Sequence, residues 1–288
     1  MDTLIQTIIN GLMIGGVYAL VAVGLTLIFG VMGIVNFAQG EFVMLGMYGS
    51  WILASLFRIS PYPGILIIGP LMFLIGFIFY KLLISRVVGK GDEAYILLTL
   101  GLSILLQNLA LIIWGADYQS VATPLKDAAI HVSHLSIPIP RLIAFVIGLG
   151  LIIGLTYILH KTDLGRAMRA CAENREVACL LGINPNQSFT IAFSLGIVLA
   201  GIGGSLLTPM FYVYPTVGVL FNTTAFIVVV LGGMGSVAGA LLGGLIIGIV
   251  EALTGTYISL DLSQLGTFVI FLLVLFLRPS GLFGRSVR

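Results

Sequence analysis

The sequence predicts an all-α fold, a polytopic transmembrane helix bundle, and three observations carry that expectation. Only 8% of the 288 residues are charged while 59% are hydrophobic. A soluble domain carries about 25% charged residues, so a water-facing surface cannot be built from this inventory. Apolar runs recur along the whole chain, each near the roughly 20 residues that a bilayer crossing needs. Ten of the thirteen Lys and Arg residues fall in three short interruptions, the habit of loops held on one side of a membrane.

Taken in order, the apolar runs lie near 4–29, 35–57, 63–82, 94–114, 141–160, 188–210, 219–232, 237–257 and 264–277. That makes eight or nine spans in a single transmembrane domain, 1–288. Broken or re-entrant pieces are expected among them, especially between 219 and 257. The opening "MDTLIQTIIN" lacks a basic n-region, so it is read as the start of the first span rather than a cleaved signal peptide. Lys81, Arg86 and Lys90 follow the third run; Lys161, Arg166, Arg169 and Arg175 follow the fifth; Arg278, Arg285 and Arg288 follow the last. Placing all three groups on the cytoplasmic side makes 161–187 a cytoplasmic loop and 115–140 an external one. Counting three spans back from Lys81 puts the N-terminus outside.

Within the external loop, His131 and His134 are three residues apart. The prolines Pro138 and Pro140 and the alternation of "HVSHLSIPIP" favour extended structure, and no metal site is expected there. Cys171 and Cys179 lie in the cytoplasmic loop, where thiols stay reduced, and are read as small packing side chains.

Most of the 37 glycines are explained by close helix packing, because small residues let backbones approach where lipid offers no hydrophobic drive. Two clusters say more. "GVMGIVNFAQGEFVMLGMYGS" sets Asn36, Gln39 and Glu41 inside an apolar run, beside Gly33 and Gly40. A carboxylate at membrane depth is costly unless paired or hydrated. One reading is an unwound helix lining a substrate path; the other is a polar helix end at the surface, where the macrodipole favours an acid. "LGGMGSVAGALLGG" marks a second break, with Gly233 inside it and Ser236 placed to cap the next helix. Glu251 lies within a span and serves either a path or a helix–helix hydrogen bond. These six residues (Asn36, Gln39, Glu41, Gly233, Ser236, Glu251) form the candidate substrate pathway.

The stretch "CAENREVACLLGINPNQ" is the longest polar interruption. Asn174 suits an N-cap, Glu176 the first turn and Gly182 the C′ position, with Pro185 just beyond. Val177, Leu180 and Leu181 fall at i, i+3 and i+4, a narrow apolar face. A helix this short is marginal alone in water. It must dock on something, a membrane surface or a protein groove. No G-x-x-x-x-G-K-[ST] phosphate loop and no catalytic constellation occurs, so the chain is read as neither an ATPase nor another enzyme.

Glu176-x-Ala178-x-x-x-Gly182 resembles the E-A-A-x-x-x-G core of the cytoplasmic loop of ABC-importer permeases, with Val177 in place of the first alanine. Together with "GIVNFAQGEFVMLGMYGS", "VVVLGGMGSVAGALLGG" and "RPSGLFG", in that order, the chain resembles the branched-chain amino acid permease family, shorter subunit type. Ser280 departs mildly from the usual tail, and Gln39 stands where histidine is common. The resemblance implies a multi-pass plasma (inner) membrane protein importing branched-chain or related hydrophobic amino acids. It implies a heterodimer with a second homologous permease, two ATPase subunits that bind ATP and magnesium, and an extracytoplasmic substrate-binding protein. The chain itself would hold no cofactor or metal and would contact lipid but no nucleic acid. Asn174, Glu176, Val177, Ala178, Leu180, Leu181 and Gly182 would form the ATPase-coupling element. The alternatives are an ABC permease for urea, amides or another small solute such as a sugar, and an ion-coupled secondary transporter.

Overall fold

A computed structural model describes residues 2–284 except 124, 126, 127, 133 and 134. His134, Arg285 and Arg288 therefore lie outside the described residues. The fold is all-α, with one small β-hairpin among the described residues. Seven helices are long and apolar enough to cross a membrane: α1 (Asp2–Met32), α2 (Gln39–Phe57), α3 (Pro61–Leu82), α4 (Asp92–Trp114), α5 (Ile139–Lys161), α8 (Pro185–Leu207) and α10 (Val237–Tyr257). Two shorter apolar helices are α9 (Val217–Gly232) and α11 (Ser263–Leu277), and two polar ones are α6 (Asp163–Glu173) and α7 (Arg175–Leu180).

The nine apolar helices fall where the hydrophobic runs place them. The expectation of short pieces between 219 and 257 holds for α9 and not for α10. α10 has 21 residues and full span length, whereas α9 has 16 and α11 has 15. At 1.5 Å per residue those two reach only about 24 and 22 Å, less than a hydrocarbon core of about 30 Å. By the same measure the 31 residues of α1 reach about 46 Å, and it is the axis around which the rest is built.

Backbone contacts give the direction of each helix. A Cβ at Gly11 would meet Gly248, and one at Gly15 would meet Gly244, so α10 runs antiparallel to α1 in close contact. Gln6, near the start of α1, bonds Ser136 just before α5, and further along Gly16 and Leu20 lie against Phe145 and Gly148, so α5 runs parallel to α1. α8 packs on α1, α2 and α3. Gly76 of α3 meets Ser194, while Ser205 at the other end of α8 donates to the Pro61 carbonyl at 3.2 Å, so α3 and α8 are antiparallel.

This arrangement gives the bundle two chemically different ends. One end gathers the C-termini of α1, α3 and α5, the N-terminus of α8, and the helices α6 and α7. It carries Lys81, Arg86, Lys161, Arg166, Arg169 and Arg175. The far end holds the start of α1 and the hairpin β1 (Ala129–Val132) and β2 (Leu135–Pro138), paired antiparallel with His131 opposite Ser136. Gln6 clamps that hairpin to α1: its amide donates to the Ser136 carbonyl and accepts from the Ser136 N–H at 2.8 Å. The start of α1 therefore lies at the same end as the 115–138 loop. Gln119 and Val213 exchange backbone hydrogen bonds of 2.9 and 2.8 Å, joining that loop to the segment before α9.

Candidate functional site

The break between α1 and α2 is real, and protein encloses it. Gly33 adopts a φ of +70°, left-handed backbone that favours glycine, and turns the chain back along α1. Asn36, Gln39 and Glu41 are all buried, none more than 1% exposed. Asn36 Oδ1 accepts from the Ala38 N–H at 3.1 Å, and its amide donates to Gln39 Oε1 at 3.1 Å. The Gln39 amide then reaches the carbonyls of Gly196 in α8 and Val21 in α1, at 3.3 and 3.5 Å. One side chain thus ties the start of α2 to the middle of two other helices.

Glu41 sits in the first turn of α2, where the helix dipole suits an acid. Gln107 of α4 donates to its Oε1 at 2.5 Å, and Gln107 also donates to Ser103 at 3.3 Å. Glu41 Oε2 is buried without a hydrogen-bond partner among the described residues. Beside it, Gly40 and Gly218 touch backbone to backbone, and the Gly40 N–H donates to Asn222 at 3.2 Å. The N-termini of α2 and α9 therefore meet inside the bundle.

A cavity of about 490 Å³ opens on the other side of α9, between it, α10 and α11. Its polar lining comes from Thr216, Thr223, Thr224, Gln264, Thr267 and Glu251, and its apolar lining from Val219, Leu220, Ile227 and Phe268. The Tyr18 hydroxyl of α1 donates to Glu251 Oε1 at 3.2 Å. A smaller cavity of about 220 Å³, lined by Gln107 and Asn108, shares Tyr214 and Thr216 with the larger one. Burial, and then the neighbouring Tyr118 phenol, push the Tyr214 hydroxyl above its ordinary range. Of the six candidate pathway residues, Glu251 alone lines either cavity. Glu41 touches the smaller one at one remove, through Gln107.

Gly233 and Ser236 do other things. Ser236 caps α10, its hydroxyl accepting from the Gly239 N–H at 3.1 Å. Gly233 has a φ of +101° and leaves room for the tail, since a Cβ there would meet Gly284. Leu282 and Phe283 donate backbone hydrogen bonds of 2.8 and 3.0 Å to the carbonyls of Leu231 and Gly232. The late glycine cluster and the "RPSGLFG" tail are thus two halves of one contact.

At the basic end, α6 begins at Thr162, which accepts from the Gly165 N–H at 3.2 Å. The sequence reading missed this helix. Its signal was the Thr-Asp start followed by Gly165, Met168 and Cys171 at three-residue spacing, the residues it buries. Asn174 then caps α7, accepting from the N–H groups of Glu176 and Val177 at 3.0 and 3.1 Å. Gly182 has a φ of +79°. Its N–H and that of Ile183 donate to Cys179 and Ala178, both at 3.0 Å, which is a Schellman closure. α7 has six residues, a little under two turns. Ala178 faces inward at 1% exposure, while Val177, Leu180 and Leu181 are 49%, 87% and 73% exposed. Cys171 packs inside, but Cys179 is exposed, which corrects its reading as a packing residue. So short a helix buries only one position, and Ala178 takes it.

Comparison with known proteins identifies the family. The family model described as "Branched-chain amino acid transport system / permease component" matches residues 7–277. The chain is 34% identical over 302 residues to the high-affinity branched-chain amino acid transport system permease protein LivH of Escherichia coli K12, covering 98% of this chain and 96% of that one. It is 30% identical over 257 residues to the ribose import permease protein RbsC of Haemophilus influenzae, covering 85% and 76%. Among solved structures, PsaBC from Streptococcus pneumoniae in complex with Fab shares the fold, with a TM-score of 0.50 and 12% identity over 95% of this chain and 92% of that one. The chain is a multi-pass membrane protein that belongs to the permease-component family of branched-chain amino acid transport systems, and within it resembles the shorter, LivH-type subunits.

Proposed function

We propose that the chain is one membrane subunit of an ABC importer that carries branched-chain amino acids across the plasma (inner) membrane. In this reading the basic end, with α6 and α7 in the 161–187 loop, faces the cytoplasm. The hairpin end and the start of α1 face outside, where a binding protein delivers substrate. A second homologous permease completes the path, and two ATPase subunits bind ATP and magnesium.

The observation that carries the coupling half of this reading is the geometry of α7. It is capped at both ends, anchored by Ala178, and braced by Arg175, whose guanidinium lies 5.8 Å from the Phe189 ring of α8. Leu180 and Leu181 project outward, uncovered by the described residues of this chain. Exposed leucines on a rigid, basic knob suit a groove on another protein. An ion-coupled carrier would have no use for one.

The substrate half rests on the relatives. LivH-type permeases favour branched-chain amino acids, and the ribose relative keeps a simple sugar as the second reading. Uptake of labelled leucine, isoleucine and valine by the assembled transporter, in competition with ribose, tests this directly. Leucine uptake that ribose does not reduce is expected; ribose uptake without leucine uptake sinks the assignment. For coupling, Gly182→Val and Glu176→Lys should abolish ATP-driven uptake while membrane insertion is unchanged. Uptake at the normal rate in both variants removes α7 from the mechanism.

A further inference from the structure

The larger cavity lies within this one chain, behind α9, and its lining is chemically uneven. It contains one carboxylate, Glu251, and no cationic side chain. Tyr18 donates to Oε1 of this group, and among the described residues it has no ion-pair partner, the only ion pair being Arg166 with Asp163, in α6. Thr216 and Gln264 supply neutral donors, while the hydroxyls of Thr223, Thr224 and Thr267 donate to the carbonyls of Val219, Leu220 and Ser263 in their own helices and face the cavity as acceptors. Leu220, Ile227 and Phe268 supply an apolar wall. The volume, about 490 Å³, falls within the range of roughly 300–1,000 Å³ typical of small-molecule sites.

A carboxylate kept without a counter-charge at membrane depth is expensive and marks a place where a cation arrives. We infer that the chamber between α9, α10 and α11 is a transient binding site for a zwitterionic α-amino acid, with Glu251 receiving the ammonium group. This rests on the amino-acid reading above and adds a site to it. The Thr216 hydroxyl and the Gln264 amide receive the carboxylate, and the apolar wall takes the branched side chain. Tyr18 is a positioning residue: its hydroxyl fixes one oxygen of Glu251 and leaves the acid to meet the substrate. A sugar can offer hydroxyl hydrogen bonds to Glu251 but no positive charge to offset its burial, so the chamber favours the ammonium.

Thr223→Cys places a thiol on the chamber wall. In the assembled transporter in membrane vesicles, its modification by a small methanethiosulfonate reagent can be followed at the peptide level by mass spectrometry. Leucine should slow the modification; 4-methylpentanoate, which lacks the ammonium, and ribose should not. Adding Glu251→Gln should raise the leucine concentration needed for half-protection about tenfold or more, the cost of one lost charge-assisted hydrogen bond. Adding Glu251→Asp instead, which keeps the charge, should restore part of the protection. Protection that survives Glu251→Gln, or equal protection by 4-methylpentanoate, overturns the site. Leucine uptake by the parent transporter without any protection overturns the site and leaves the proposed function standing. A parent transporter that takes up ribose and no branched-chain amino acid overturns both.

Discussion

Glu41 and Gln107 show what one polar residue does inside an apolar bundle. The carboxylate is 1% exposed, and a single amide from α4 answers it. An ionised group left alone in a low-dielectric interior loses its desolvation energy without return. Removing Gln107 should therefore cost more than removing the pair. Gln107→Leu is expected to lower the thermal stability of the purified transporter by roughly 1–3 kcal/mol, the penalty of an unsatisfied buried partner. Glu41→Leu/Gln107→Leu together should recover much of the loss. A double variant as unstable as the sum of the two single ones argues against direct pairing. Gln39 belongs to the same logic, and its residue type alone suggested a polar site. Its role as a clamp between Val21 and Gly196 depends on carbonyls 18 and 157 positions away, which no local pattern announces.

Among the elements, α7 was the most legible in the sequence and α6 the least. A capped helix end is a local event: Asn174, Glu176 and Gly182 act within one turn of their own position. The spacing of those residues is enough to place the helix. α6 does carry an apolar stripe, with Leu164, Met168 and Cys171 at i, i+4 and i+7, but it lies directly after the apolar run of α5 and packs on α5, α8 and α1 partly through Gly165, where a Cβ would strike the carbonyls of Ile158 and Leu159. Its packing surface is visible only once α5 has ended there. The cap gives a direct prediction. Asn174→Ala should cost about 1 kcal/mol of local stability and speed amide exchange at Glu176 and Val177 several-fold. Asn174→Asp keeps a capping oxygen and should exchange at the parent rate. Equal rates in all three proteins would remove the cap from the account.

At the scale of the molecule, cohesion comes from backbone proximity rather than from hydrophobic transfer, because lipid is as apolar as leucine. The seam between α1 and α10 is the clearest case, with Gly11 and Gly15 against Gly248 and Gly244. Gly244→Ala adds a methyl where Ala19 already stands and should lower the melting temperature of the purified protein. Gly150→Ala adds the same methyl to α5, where nothing lies within 4 Å. There the gain in helix propensity, up to about 1 kcal/mol, should leave the melting temperature unchanged or raised. The same direction of shift in both would mean that the seam does not hold the bundle.

Composition and hydrophobic period by themselves determined that this protein lives in a membrane, where its nine apolar helices lie, and how α7 is capped. Each of these depends on residues within a few turns of one another. The tertiary structure decided which polar residues face a cavity. It buried Asn36, Gln39 and Glu41 in packing, gave Gly233 to the tail and Ser236 to a cap, and left Glu251 looking into the chamber. Those outcomes depend on which helix lies opposite, and opposite partners are far apart in sequence, 233 positions for Tyr18 and Glu251. A sequence names the polar residues in a bilayer; only the packing of its helices says which of them are spent on protein and which are kept for something else.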